Sequence, residues 1–249
     1  MSYFFEDIGI NPNELSGKQI VHHLDSRIQD VLTEIQNSEL WKLLTSPDSN
    51  PDLVREIMKE IYLEITMYQP DVIESTIAII GQFPRSMNVN VIGEMLHHQV
   101  EEFDHGEMAL RDYIALGGSE KEARNRKMSP SAFSIAAMWR FLCHKRDPFA
   151  YLGALYPFEG LTPIITDMVR PFLKEKGMKR KSMEFVDYHS TADLEHTAMV
   201  KKLIENVVDE YPESRESICY GIEYFLAIYP MPAWERACKR GRLRLQMAN

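Results

Sequence analysis

His189, Asp193 and His196 stand four and three residues apart. On an α-helix, steps of four and seven return to nearly the same direction, so two imidazoles and a carboxylate would share one strip. Phe185, Val200, Leu203 and Val207 continue that strip as apolar surface in both directions. Three groups that bind protons or metals are costly to bury in such a seam unless something pairs with them. A divalent cation would pair with all three.

A second cluster holds His97, His98, Glu101, Glu102 and His105. The strip through Glu102 contains Val91, Met95, His98, Ala109, Tyr113 and Leu116, whereas the strip through Glu101 contains Glu94, His97, Met108 and Asp112. Glu102 is therefore expected to point inward and Glu101 outward into solvent, with a carboxylate supporting a metal ligand as the alternative reading of Glu101. Glu102-x-x-His105 has the spacing by which carboxylate-bridged di-iron bundles present a ligand pair from one helix. His98 reads as a histidine hydrogen-bonded to a backbone carbonyl, and His97 as a surface residue. Glu159 forms the third element, on a strip with Leu152, Leu155 and Thr162. Pro163 cannot donate to the Glu159 carbonyl, so a kink or bulge is expected there. Arg170 lies eleven residues beyond Glu159 and reads as half of a surface salt bridge, with a substrate carboxylate as its alternative partner. Three carboxylates and three imidazoles suit iron, with manganese as the alternative, better than magnesium or thiophilic metals.

The elements that must position these groups read at the helical period almost throughout. Ser16 to Asn37 is amphipathic, with Ile20, Leu24, Ile28, Val31 and Ile35 on one side. Pro51 opens a helix to about Tyr68, Pro70 should break it, and Asp71 to Phe83 should resume. Asn88 to Leu116 reads as one long helix stopped by Gly117 and Gly118. Another starts at Ser129 and Pro130 and runs through Phe133, Ala137 and Phe141. A helix capped by Asp147 and Pro148 ends near Gly177, Ser182 to Val208 carries the histidine motif, and Pro212 to about Arg242 is broken near Pro230 and Pro232. The expectation is one all-α domain over residues 1–249, with roughly seven to nine helices and a metal-binding core at about 88–210.

With 37 acidic against 28 basic residues, the chain has a formal charge of −9, which argues against a nucleic-acid partner. Cys143, Cys219 and Cys238 form no CxxC pair, so neither a disulfide framework nor a zinc ribbon is expected, and a reducing cytoplasm is the natural location. The N-terminal stretch is acidic and has no signal-peptide pattern, and the apolar run Ile77 to Ile80 is too short to span a membrane.

The ordered set Glu102-x-x-His105, Glu159-Gly160 and His189-x-x-x-Asp193-x-x-His196 resembles the heme-oxygenase-like diiron oxidases and oxygenases over about residues 50 to 225. The resemblance implies a bundle of about seven core helices, the fold of heme oxygenase and of thiaminase-type and pyrroloquinoline-quinone synthase proteins. It implies two Fe(II) ions in place of a porphyrin, held by Glu102, His105, Glu159, His189, Asp193 and His196. The resemblance also implies a labile cluster, with the third motif's helix ordering only when metal is bound. Two ferrous ions against three carboxylates leave a slightly cationic site, suited to peroxide or an anionic substrate.

The activity implied is an O2-dependent oxidation of a fatty acid or amino acid: oxidative decarboxylation, carbon–carbon cleavage, nitrile formation or N-oxygenation. An external electron donor and a homodimer are compatible with that class. One alternative is a cofactor-independent enzyme of the pyrroloquinoline-quinone-synthase or thiaminase type, with the same groups acting as acids and bases. A metal-binding helical protein without catalysis is the other. Cys143 lacks the context of a thiaminase-type cysteine, and His22 and His23 sit beside Arg27 and Asp30, which reads as solvated surface.

Overall fold

Five apolar residues at helical spacing build the first long element, α1 (Gly17–Asn37), whose Ile20, Leu24, Ile28, Val31 and Ile35 all turn into the core. The computed structural model describes residues 5, 7–145, 147–190 and 193–248, except the side chains of 193, 194 and 248. Eleven further α-helices follow among those residues: α2 (Glu39–Thr45), α3 (Pro51–Ile80), α4 (Val89–Glu102), α5 (His105–Ala115), α6 (Glu120–Asn125), α7 (Pro130–Lys145), α8 (Pro148–Glu175), α9 (Glu184–His189), α10 (Asp193–Glu210), α11 (Ser214–Leu226) and α12 (Met231–Ala248). The described residues contain no strand, so the protein is all-α.

Two long helices organise the bundle. α3 packs against α5, α7 and α12, and α8 packs against α9, α10 and α11. Pro70 does not break α3 as the sequence suggests; the helix runs through it. An interior proline costs about 3 kcal/mol. Buried apolar side chains on both sides of it, among them Leu63, Ile65, Tyr68, Val72 and Ile79, contribute about 1.5–3 kcal/mol each. Packing decides the outcome.

Other boundaries also shift. The expected helix from Asn88 to Leu116 is two helices, divided at Phe103 and Asp104, where the Phe103 amide reaches back only to the Val100 carbonyl at 3.4 Å. This tightened turn changes the helix phase, so Met108 and Asp112, expected on a polar face, are buried. The expected helix from Ser182 to Val208 closes at His189 and reopens at Asp193. The Ser190 hydroxyl donates to the Asp187 carbonyl at 3.0 Å, an alternative to helical bonding that favours termination. In α7, Phe133 and Phe141 face solvent, and Ala132, Ile135, Ala136 and Trp139 form the core face instead.

The α8–α11 contact is backbone against backbone. A Cβ added at Gly153 would collide with the Ile218 carbonyl, and one added at Gly221 with the Ala150 carbonyl. Glycine to alanine in an exposed helix gains about 1 kcal/mol. Gly153→Ala should instead lose about 1–3 kcal/mol, because neither helix can yield without displacing the other. Urea unfolding reads the sign, and a stabilised variant would refute the close approach.

Candidate metal centre

Five helices deliver ionisable groups to one interior point. α4 carries His98 and Glu102, and α5 opens with His105. Glu159 lies midway along α8, His189 ends α9, and His196 sits in the first turn of α10. All six residues are buried. Donor atoms of His98, Glu102, Glu159 and His196 lie within 4.8 Å of one another. The second group adjoins them: His105 Nδ1 is 2.7 Å from Glu102 Oε2 and 3.2 Å from His189 Nε2. Glu102 therefore faces both groups. Its other oxygen, Oε1, stands 3.7 Å from both His98 Nε2 and His196 Nδ1.

The local electrostatics are those of a cation site. Burial alone would raise the Glu159 pKa, yet the imidazoles of His98 and His196 hold it well below the usual carboxylate range. Burial would lower the His98 pKa, but the Glu159 and Glu102 carboxylates outweigh it and raise the value. His189 is pushed down to about 3, by burial first and by His105 second, and so stands neutral with a lone pair available. His98 Nε2 and Glu159 Oε1, 3.4 Å apart, are buried and lack a hydrogen-bond partner among the described residues. Orphaned buried donors and acceptors are costly, and a metal ion would satisfy them. The nitrogen and oxygen set fits iron or manganese.

Surrounding groups fix the ring orientations. His189 Nδ1 lies 2.7 Å from the Phe185 carbonyl, and the imidazole stacks on the Phe185 ring with centroids 3.8 Å apart. A protonated Nδ1 donating there leaves Nε2 facing His105. His98 Nδ1 lies 3.0 Å from the Gln99 amide, and His196 Nε2 lies 3.1 Å from Glu101 Oε2. Pro163 has no N–H for the Glu159 carbonyl, and the Thr197 hydroxyl, next to His196, donates to it at 2.8 Å. α8 stays continuous through Pro163, and the freed carbonyl ties α8 to α10 at the site.

Asp112 holds the short helix α9. Its two carboxylate oxygens accept the Glu184 and Phe185 amides, each at 2.9 Å, and burial pushes its pKa up to about 6 despite those bonds. Asparagine offers one carboxamide oxygen in place of two, so Asp112→Asn leaves a part-buried N–H without its partner, at a cost of about 1 kcal/mol. The expected result is an Fe(II) affinity about tenfold or more weaker, read by anaerobic titration, because α9 carries His189. Unchanged affinity would remove Asp112 from any positioning role.

The structure brings together five of the six sequence-derived candidates: Glu102, His105, Glu159, His189 and His196. The Asp193 side chain lies outside the described residues. Three readings change. His98 does not bond a backbone carbonyl but joins the cluster, because its strip faces Glu159 at 3.4 Å. A signal was available, since His98-x-x-x-Glu102-x-x-His105 repeats the spacing of the later motif. Glu101, half-exposed, contacts His196 and is not simply solvated. Asp112, expected on a polar face, is buried. Arg170 pairs with Asp187 at 2.8 Å, and the His97 side chain is 75% exposed, both as expected.

Residues 76–229, more than half of the chain, match the model of a family described as iron-containing redox enzyme. The chain belongs to this family. The matched span takes in every group at the buried centre. A stretch of 140 residues, 53% of the chain, is 28% identical to a 4-aminobenzoate synthase of Nitrosomonas europaea, spanning 56% of that relative's length. A solved domain of unknown function with a heme oxygenase-like fold, from Shewanella denitrificans OS217, superposes with a TM-score of 0.71 at 20% identity, over 90% of this chain and 92% of the other. That likeness shows the fold, which is heme-oxygenase-like. No helix among the described residues is long and apolar enough to cross a membrane.

Proposed function

We propose that this iron-containing redox enzyme is an O2-activating non-heme diiron oxidase or oxygenase acting on a small carboxylic acid or amino acid. The observation that carries the reading is the position of Glu102, one oxygen toward His105 and the other toward His98 and His196. A single carboxylate facing two donor sets is what a two-metal site requires. His98, Glu159 and His196 would serve one ion, His105 and His189 the other, with Asp193 a proposed addition and Glu102 shared. Manganese is the alternative metal. When bound, the ferrous pair supplies the electrons and the O2 chemistry.

The chain's own residues do the remainder. Phe185 orients His189 through its carbonyl and covers its ring. Glu101 sits on the far nitrogen of His196 and links it to the surface, where a proton could be exchanged. Phe158, Phe185 and Tyr229 line the small cavity beside Glu102, His105, Glu159 and His189. A net cationic centre attracts an anionic substrate. The N. europaea relative's name, 4-aminobenzoate synthase, adds aromatic acids to the compounds worth testing. A cofactor-independent acid–base enzyme is less well supported, since it would leave His98 and Glu159 with unsatisfied buried atoms.

An O2 electrode with Fe(II)-loaded protein and a panel of carboxylic and amino acids tests the proposal. Substrate-triggered O2 uptake is expected, and His196→Ala should abolish it. Iron uptake without any O2 consumption would support a non-catalytic metal-binding protein instead.

A further inference from the structure

α4 carries its metal-centre residues on one face only. Met95, His98, Gln99 and Glu102 are buried there, and the helix packs on α3. An outward face holds Val89, Gly93, Leu96, Val100 and Phe103, all exposed and separated by alternating steps of four and three. That alternation draws one stripe along about 20 Å of helix, as in the seam of a helix pair. Glu94, His97 and Glu101 stand to one side and leave the stripe itself uncharged.

The stripe is nearly palindromic about Leu96. In an antiparallel two-fold pair, Leu96 meets its own mate, Phe103 meets the partner's Val89, and Val100 meets the partner's Gly93. An isologous contact requires this self-complementarity. Gly93 supplies an independent sign. A Cβ added there meets nothing within the chain, so no contact inside one copy calls for a glycine, which destabilises a helix interior relative to alanine. Against a second copy it is the hole that receives Val100. Arg85, exposed just before α4 and without an ion partner among the described residues, would reach the far end of the partner's stripe. There Glu74 and Glu107 rim the groove beside Phe103 and Ile77. Both carboxylates already hold an arginine, Arg140 and Arg124, so Arg85 trims the contact and does not drive it.

The area is sufficient. Val89, Val100 and Phe103 are 77%, 72% and 74% exposed, Ile77 47% and Leu96 42%. These five side chains offer roughly 350 Å² of apolar surface per copy. With the usual polar share, two copies would bury about 1,200 Å², the lower bound for a specific interface. We propose that α4 pairs with α4 of a second copy, antiparallel about a two-fold axis at Leu96, in a dimer of micromolar affinity. The pairing would brace the helix that carries His98 and Glu102.

Sedimentation velocity of the full chain between about 1 and 100 μM tests it, with a shift from one to two chains per particle expected across that range. Leu96→Glu sets two carboxylates against each other at the axis and should raise the dissociation constant at least about tenfold. Gly93→Leu fills the hole and should weaken the dimer about tenfold while raising the urea midpoint of the single chain. It also serves as the second variant should Leu96→Glu fail to fold. In a Cys143→Ser background, a short bis-maleimide should join Leu96→Cys chains in pairs and leave Glu94→Cys chains single. A single chain at every concentration would overturn the proposal. So would a dimer indifferent to both substitutions, or equal crosslinking from the two cysteine variants. None of these readouts needs iron, so they stand apart from the diiron reading.

Discussion

Glu102→Ala should reduce iron uptake from about two ions per chain to fewer than one. The reason is geometric: its carboxylate is the group that reaches both donor sets, His105 through one oxygen and His98 with His196 through the other. Loss of a supporting contact around a metal costs about ten- to a hundredfold in affinity, and loss of a shared ligand should exceed that. Glu102→Gln preserves shape and one neutral oxygen and should fall between. His98→Ala touches one donor set, so it should weaken one ion more than the other. Anaerobic Fe(II) titration with metal analysis separates these outcomes. Two tightly held ions in the Glu102→Ala protein would remove this residue from the centre of the account.

Glu60→Ala should destabilise the fold by about 3–5 kcal/mol, the cost of breaking a buried charge pair by removing one partner. Glu60 is 1% exposed and lies against three guanidinium groups: Arg126 at 3.0 Å, Arg240 at 2.6 Å, and Arg244. Arg240 and Arg244 belong to α12, so this carboxylate latches the last helix to α3. Burial would raise its pKa, but Arg126, Arg244 and Arg240 together lower it below the ordinary 4.5. A depressed folded-state pKa means stability that is fully present above 4.5 and declines as pH falls through the folded value. Urea midpoints from pH 7 down to pH 3 should drop for the wild type and much less for Glu60→Ala. Parallel curves would rule out the latch as the source.

Local physics was largely legible in the residues. The α1 stripe and the inward face of Glu102 follow from helical periodicity, and the helix starts at Pro51, Pro130 and Pro148 follow from proline at the first helical position. The elements that escaped were decided by other parts of the chain. Pro70 passes unbroken because distant helices bury both halves of α3, and no local rule contains that term. By itself His98 reads as a lone histidine, although it repeats the spacing of the later motif; its place in the cluster depends on Glu159, sixty-one residues away in sequence, standing opposite it. Asp112 looked like part of a polar face until the tightened turn at Phe103 rotated α5 and brought it under the amides of α9.

Anomalous diffraction at the iron absorption edge, from crystals grown with Fe(II) under anaerobic conditions, tests the central claim most directly. Two peaks flanking the Glu102 carboxylate are predicted, one bounded by Glu159 and His196 and the other by His105 and His189. A single peak, or iron bound only at exposed acidic groups, would contradict it.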